Sequence, residues 1–73
     1  MKLEWEVRKI QLGLILDMMT IQRDKVEMAD VRLLFEEHGE KLNLIPKFLK
    51  EMIEAGRIER TGDEIHMRRK SNV

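Results

Sequence analysis

The side chains with chemistry to offer are two histidines, His38 and His66, one serine, Ser71, and many carboxylates, with no cysteine at all. A metal site would have to complete its ligand set from carboxylates such as Glu36 or Glu64, and the histidine spacing matches no metal-binding motif. His38 falls at the end of an expected helix, where the dipole favours an imidazolium, and His66 reads as an exposed strand residue. Ser71 has no neighbouring base, and no glycine-rich phosphate loop is present. Glu36, Glu37 and Glu40 read as a solvated face rather than as an acid and base pair. An enzyme is therefore not expected, and neither is a cofactor, a metal or a small-molecule substrate.

What remains is the distribution of charge. Lys plus Arg and Asp plus Glu each number 14 in 73 residues, so the formal net charge is zero. A dedicated nucleic-acid binder is usually clearly basic, and this neutrality counts against strong non-specific binding. The charge is nevertheless polarised: Arg57, Arg60, Arg68, Arg69 and Lys70 face Glu59, Asp63 and Glu64, a balance of +2 over residues 57–70, which leaves −2 over residues 1–56. The length fits one domain, taken as residues 1–70 with 71–73 as a flexible tail. A core of this size gives a stability near zero on area and entropy grounds, and with no cysteine no disulfide can supplement it. Packing or association with a partner has to supply the rest. The charged opening stretch lacks a signal-peptide layout, and apolar runs such as Leu14 to Leu16 are far too short to cross a bilayer. A cytoplasmic protein without membrane contact is the default expectation.

The elements that would position these charges are legible from Leu44 onward. Ile45, Phe48, Leu49, Met52 and Ile53 follow the spacing of a helix lying on a core, with Lys47, Lys50, Glu51 and Glu54 on the other side. Asn43 is a suitable N-cap, Pro46 is tolerated in a first turn, and Gly56 can end the helix. The period then changes to two: Ile58, the turn Thr61-Gly62-Asp63, and Ile65 with Met67 predict a hairpin with one apolar face. Upstream, Asp30 is a plausible N-cap for a helix with Val31, Leu34 and Phe35 inward, and Lys25 to Met28 alternates as a short strand pairing beside the hairpin would.

Residues 3–22 read mostly as a helix with two apolar stripes, although Leu3, Trp5 and Val7 alternate with Glu4, Glu6 and Arg8 as the start of a strand would. Leu3, Val7, Ile10, Leu14, Met18 and Ile21 form one, and Trp5, Leu12, Ile15, Leu16 and Met19 lie almost opposite. The first stripe is assigned to the core. The second is either covered by the chain's own termini or, most simply, by a second copy in a two-fold homodimer through Trp5, Leu12, Ile15, Leu16 and Met19. Gly13, between the stripes, costs ~1 kcal/mol relative to Ala. A close helix crossing is one reason to tolerate it, and a neutral accident is another.

The order helix, short strand, helix, helix, strand, strand, together with the junction Phe48-Leu49-Lys50-Glu51-Met52-Ile53-Glu54-Ala55-Gly56-Arg57-Ile58, resembles winged helix-turn-helix domains over Leu3 to Met67. The spacing from Val26 to Met67 is also similar to the small C-terminal winged-helix domain of minichromosome-maintenance helicases and to free-standing small regulators. The resemblance implies an α+β fold, mainly α, with three helices, a short strand and a C-terminal β-hairpin wing. It further implies a DNA-binding transcriptional regulator whose helix 43–55 enters the major groove of double-stranded DNA while the wing, 57–70, lies on the backbone. The groups it points to are Asn43, Lys47, Lys50 and Glu51 on the helix, with Arg57, Arg60, Arg68, Arg69 and Lys70 on wing and tail. Winged helices also serve as protein-binding modules of replication or transcription assemblies. A helix face with no Arg, the side chain best suited to guanine edges, fits that alternative.

Overall fold

Eighteen residues without a proline, Trp5–Gln22, form the first helix, α1, in the computed structural model, which describes residues 4–23 and 25–68. At its end Arg23 takes an extended backbone while its N–H still donates to the Met19 carbonyl. There follow strand β1 (Val26–Glu27), helix α2 (Met28–Glu37), a 3-10 turn (Leu42–Leu44), helix α3 (Ile45–Glu54) and strands β2 (Ile58–Thr61) and β3 (Glu64–Met67). The fold is α+β and mainly helical, with three helices and one antiparallel three-stranded sheet in the order β1-β3-β2. Leu3, Arg69, Lys70 and the tail 71–73 lie outside the described residues.

Local chemistry explains most boundaries and corrects two. The second helix starts earlier than Asp30: Glu27 caps it, and the Asp30 carboxylate accepts from the Glu27 N–H at 2.9 Å while the Glu27 side chain accepts from the Asp30 N–H. This reciprocal arrangement satisfies two N–H groups that no intrahelical carbonyl can reach. Asp30 is thus the third residue of the helix rather than its cap. Asn43 is likewise not the N-cap of α3, because it sits inside the 3-10 turn that leads into the helix, where Pro46 occupies the first turn. The hairpin closes with two residues, Gly62-Asp63, between the paired Thr61 and Glu64. Gly62 has φ +60° while Asp63 stays at negative φ, the pattern of a turn that needs glycine at its first central position.

The short β1 strand joins β3, with Val26 opposite Ile65 and Glu27 opposite Glu64. Like charges facing each other across a ladder are unfavourable. Lys25 offsets the pair, its Nζ 3.2 Å from Glu64, and the same contact raises the Lys25 pKa. Ile58 and Ile65 are fully buried as expected, but Met67, at the open end of the hairpin, is half exposed.

One core takes side chains from every α-helix and strand: Leu12, Leu16, Val26, Val31, Leu34, Phe35, Ile45, Phe48, Leu49, Met52, Ile58 and Ile65. Phe35 and Phe48 meet edge to face at 5.2 Å, and Trp5 packs on Phe35 at 6.5 Å. Such pairs contribute ~0.5–1.5 kcal/mol beyond their buried area. The expected inward side of α3 is right for Ile45, Phe48, Leu49 and Met52, while Ile53 lies at the rim.

The assignment of the α1 stripes is reversed. Leu12 and Leu16 are fully buried, and Trp5, Ile15 and Met19 pack against the core, so this stripe is covered by the chain's own α2, α3 and sheet rather than by a second copy. Val7, Ile10, Leu14, Met18 and Ile21, assigned to the core by periodicity, face outward. Gly13 shows the reason for its residue type. A Cβ there would lie 3.1 Å from the Arg57 guanidinium and 3.2 Å from the Met52 sulfur, so any side chain at this position crowds the α3–β2 junction.

Candidate nucleic-acid interface

Because α3 turns Ile45, Phe48, Leu49 and Met52 inward, its remaining positions must face elsewhere, and they do not all face the same way. Lys47 and Lys50 are exposed on the outer side, with Asn43 and Lys41 exposed in the turn before them. Lys50 Nζ stands 4.0 Å from the Glu54 carboxylate one turn further on, a contact at the limit of an ion pair. The hairpin beyond carries Arg60 on β2 and leads to Arg68 just past β3, both exposed. Arg60 Nε donates to the Gly62 carbonyl at 2.8 Å, which lays the guanidinium along the hairpin turn. Arg60, Lys50, Glu54, Ile53, Leu49 and Pro46 line a shallow groove between α3 and β2.

Two of the sequence-selected residues belong to a different surface. Glu51 faces α1 and pairs with Lys9 at 3.3 Å, and its other carboxylate oxygen is buried without a hydrogen-bond partner among the described residues. Arg57 pairs with Asp17 of α1, both side chains half-buried beside Gly13. These side chains clasp α1 to the α3–β2 junction and do not point with Lys47 and Lys50. The structure therefore brings Asn43, Lys47, Lys50, Arg60 and Arg68 to the surface and removes Glu51 and Arg57 from the set. Arg69 and Lys70, the remaining candidates, are outside the described residues.

The clasp has an electrostatic signature. Lys9 is shared between Glu6, at 2.8 Å, and Glu51. Its hydrogen bond to Glu6 is the main reason its pKa is raised, and the same bond holds the Glu6 carboxyl below the ordinary glutamate range, with a smaller contribution from the Lys47 charge. On the other flank Arg8 stands 5.7 Å over the Trp5 ring and donates to Glu40 at 2.6 Å. Sequence reasoning misses Lys9, Asp17 and Arg8 as organising residues because their partners lie 32–42 positions away and no local pattern marks them. It also passes over Lys41, which adjacency to Asn43 could have flagged.

Other chemistry is sparse. His38 closes α2, its Nδ1 2.9 Å from the Leu34 carbonyl, an acceptor that calls for N–H on that nitrogen. Among the described residues no three His, Asp or Glu side chains converge as a metal site, and no helix is long and apolar enough to cross a membrane. Compared with models of protein families, with curated proteins and with solved structures, the chain matches none significantly. The site is therefore read from its own geometry.

Proposed function

We propose that this chain is a small winged-helix DNA-binding protein of the regulator type, in which α3 approaches the major groove and the β2–β3 hairpin acts as the wing on the backbone. The observation that carries this reading is the groove between α3 and β2, lined by Lys50 on one side and Arg60 on the other, with Lys47 exposed on α3 and Arg68 exposed just past β3. The element order and the pairing of β1 with β3 support the winged-helix assignment. In this reading Arg60 and Arg68 contact phosphates, which position the protein, while Asn43, Lys47 and Lys50 are near enough to base edges to carry sequence preference. Removal of Glu51 from the outer surface takes a carboxylate away from the DNA side and so makes that side more basic than the sequence implies.

Selection from random duplexes at moderate salt, followed by salt titration of the selected site, tests the proposal. Affinity should fall with salt at a log-log slope of about −0.9 per phosphate neutralised. Arg60→Ala and Arg68→Ala should weaken all duplexes alike, and Lys47→Ala should change the preferred sequence. Absence of any duplex binding at low salt rejects it. A second reading, a protein-binding module, is favoured by one observation: Arg57 is held by Asp17, which leaves α3 and its C-terminal end with no outward Arg for guanine edges.

A further inference from the structure

Of the nine large apolar side chains exposed among the described residues, five lie on the outward stripe of α1. Val7, Ile10, Leu14, Met18 and Ile21 are 43, 57, 56, 59 and 65% exposed on one face of an 18-residue helix. Together they present roughly 500 Å² of apolar surface, at the upper end of the largest patch seen on an ordinary monomer. We infer that this stripe seats a second copy of the chain, packed antiparallel about a two-fold axis at Leu14.

The spacing argues for that occupant. The stripe lies at −7, −4, 0, +4 and +7 from Leu14, so it reads the same in both directions. At 3.6 residues per turn all five side chains fall within about 40° of Leu14, and at 1.5 Å per residue they form a seam about 21 Å long. A two-fold axis at Leu14 then sets Val7 level with Ile21 of the second copy and Ile10 level with Met18, with Leu14 meeting its own equivalent. Every apolar residue gains an apolar neighbour and none overhangs. An isologous contact has this self-complementarity by definition, and an unrelated partner would have no need of it.

Dipole and area agree with the arrangement. Antiparallel packing opposes the dipoles of the two helices, whereas parallel packing aligns them. Two stripes together remove on the order of 1,000 Å² or a little more from water, at the lower limit for a specific interface. The pairing is therefore reversible, with a Kd in the micromolar range. It uses no residue of the proposed DNA surface, so the two readings stand or fall separately.

The chain has no cysteine, so introduced ones report cleanly. Ile10→Cys and Met18→Cys, each made in the full chain and mixed under oxidising conditions, should form the mixed disulfide in preference to either homodimeric one. Preferential self-crosslinking of Ile10→Cys indicates a parallel pair and overturns the arrangement. Sedimentation equilibrium from about 1 to 100 μM, which brackets the affinity of so small an interface, should show a reversible monomer–dimer equilibrium. Leu14→Asp should abolish the dimer while leaving the helical circular dichroism unchanged, because Leu14 is more than half exposed and is not one of the core residues. A monomer at the highest concentration, or a dimer indifferent to Leu14→Asp, overturns the inference.

Discussion

The two stripes of α1 carry similar side chains, a run of Leu, Ile and Met with one Trp or Val, yet the fold treats them in opposite ways. Leu12 and Leu16 are sealed in the core, and Leu14, two residues from each, stands in solvent. Hydrophobicity cannot make that choice, since either stripe would gain about 1.5–3 kcal/mol per buried aliphatic side chain. The neighbours of the inner stripe make it. With Leu12 and Leu16 inward, Gly13 meets Arg57 and Met52, Lys9 reaches Glu51, Asp17 reaches Arg57, and Arg8 reaches Glu40. Turning the helix over would leave those charges without their partners and set longer side chains against the Arg57 and Met52 ends that Gly13 now faces. A stripe is selected by the polar residues that travel with it.

The largest effect that can test this contrast is truncation on each side. Leu16→Ala should cost about 2–5 kcal/mol in chemical denaturation, as for other fully buried leucines. Leu14→Ala, measured at a concentration where the chain is monomeric, should stay within ~0.5 kcal/mol. Equal losses would mean that the stripes are not distinguished as described.

Gly13 gives the next effect. Gly13→Val should lower stability by about 1–3 kcal/mol, because branched atoms must displace Arg57 and Met52. Gly13→Ala should come out within ~0.5 kcal/mol of neutral, a gain of ~1 kcal/mol in helix propensity being offset by the same crowding. A clear stabilisation by Ala would show that the close approach exerts no pressure.

Loss of the clasp is smaller. Asp17→Ala should cost ~1 kcal/mol, the upper range for a pair that keeps contact with water. Added salt should reduce the difference between Asp17→Ala and the parent chain.

The smallest effects are those of pH. Glu6 has a lowered pKa in the folded chain, so its contribution is present above the unfolded value of ~4.3 and is lost as pH falls through its folded value. Lys9 and Lys25 have raised pKa values, so theirs are complete below ~10.4 and fade as pH rises through the folded values. These groups therefore leave stability level between the two ranges. In a carboxyl NMR titration, Lys9→Met should move Glu6 back up toward the ordinary glutamate value, and an unmoved Glu6 would assign its shift to something else.

The same division runs through the candidate interface. Lys47 and Lys50 are legible as outward residues because Phe48, Leu49 and Met52 fix the phase of α3. Glu51 is not, since its position on the helix leaves it at the boundary and only Lys9, 42 residues away, draws it toward α1. Arg57 reads as a wing cation in the chain but is a core-side clasp in three dimensions.

The sequence by itself determines the order and approximate span of the helices and strands, the turn at Gly62-Asp63 and the inward phase of α2 and α3. Period, proline, glycine and turn chemistry are local, and one apolar stripe admits one answer. Only the tertiary structure decides which face of α1 is buried, which strand of the hairpin β1 joins and which charged groups remain outside. Those choices rest on contacts between residues distant in the chain, and on α1 two nearly equal stripes compete until Glu51, Arg57 and Glu40 arrive beside one of them.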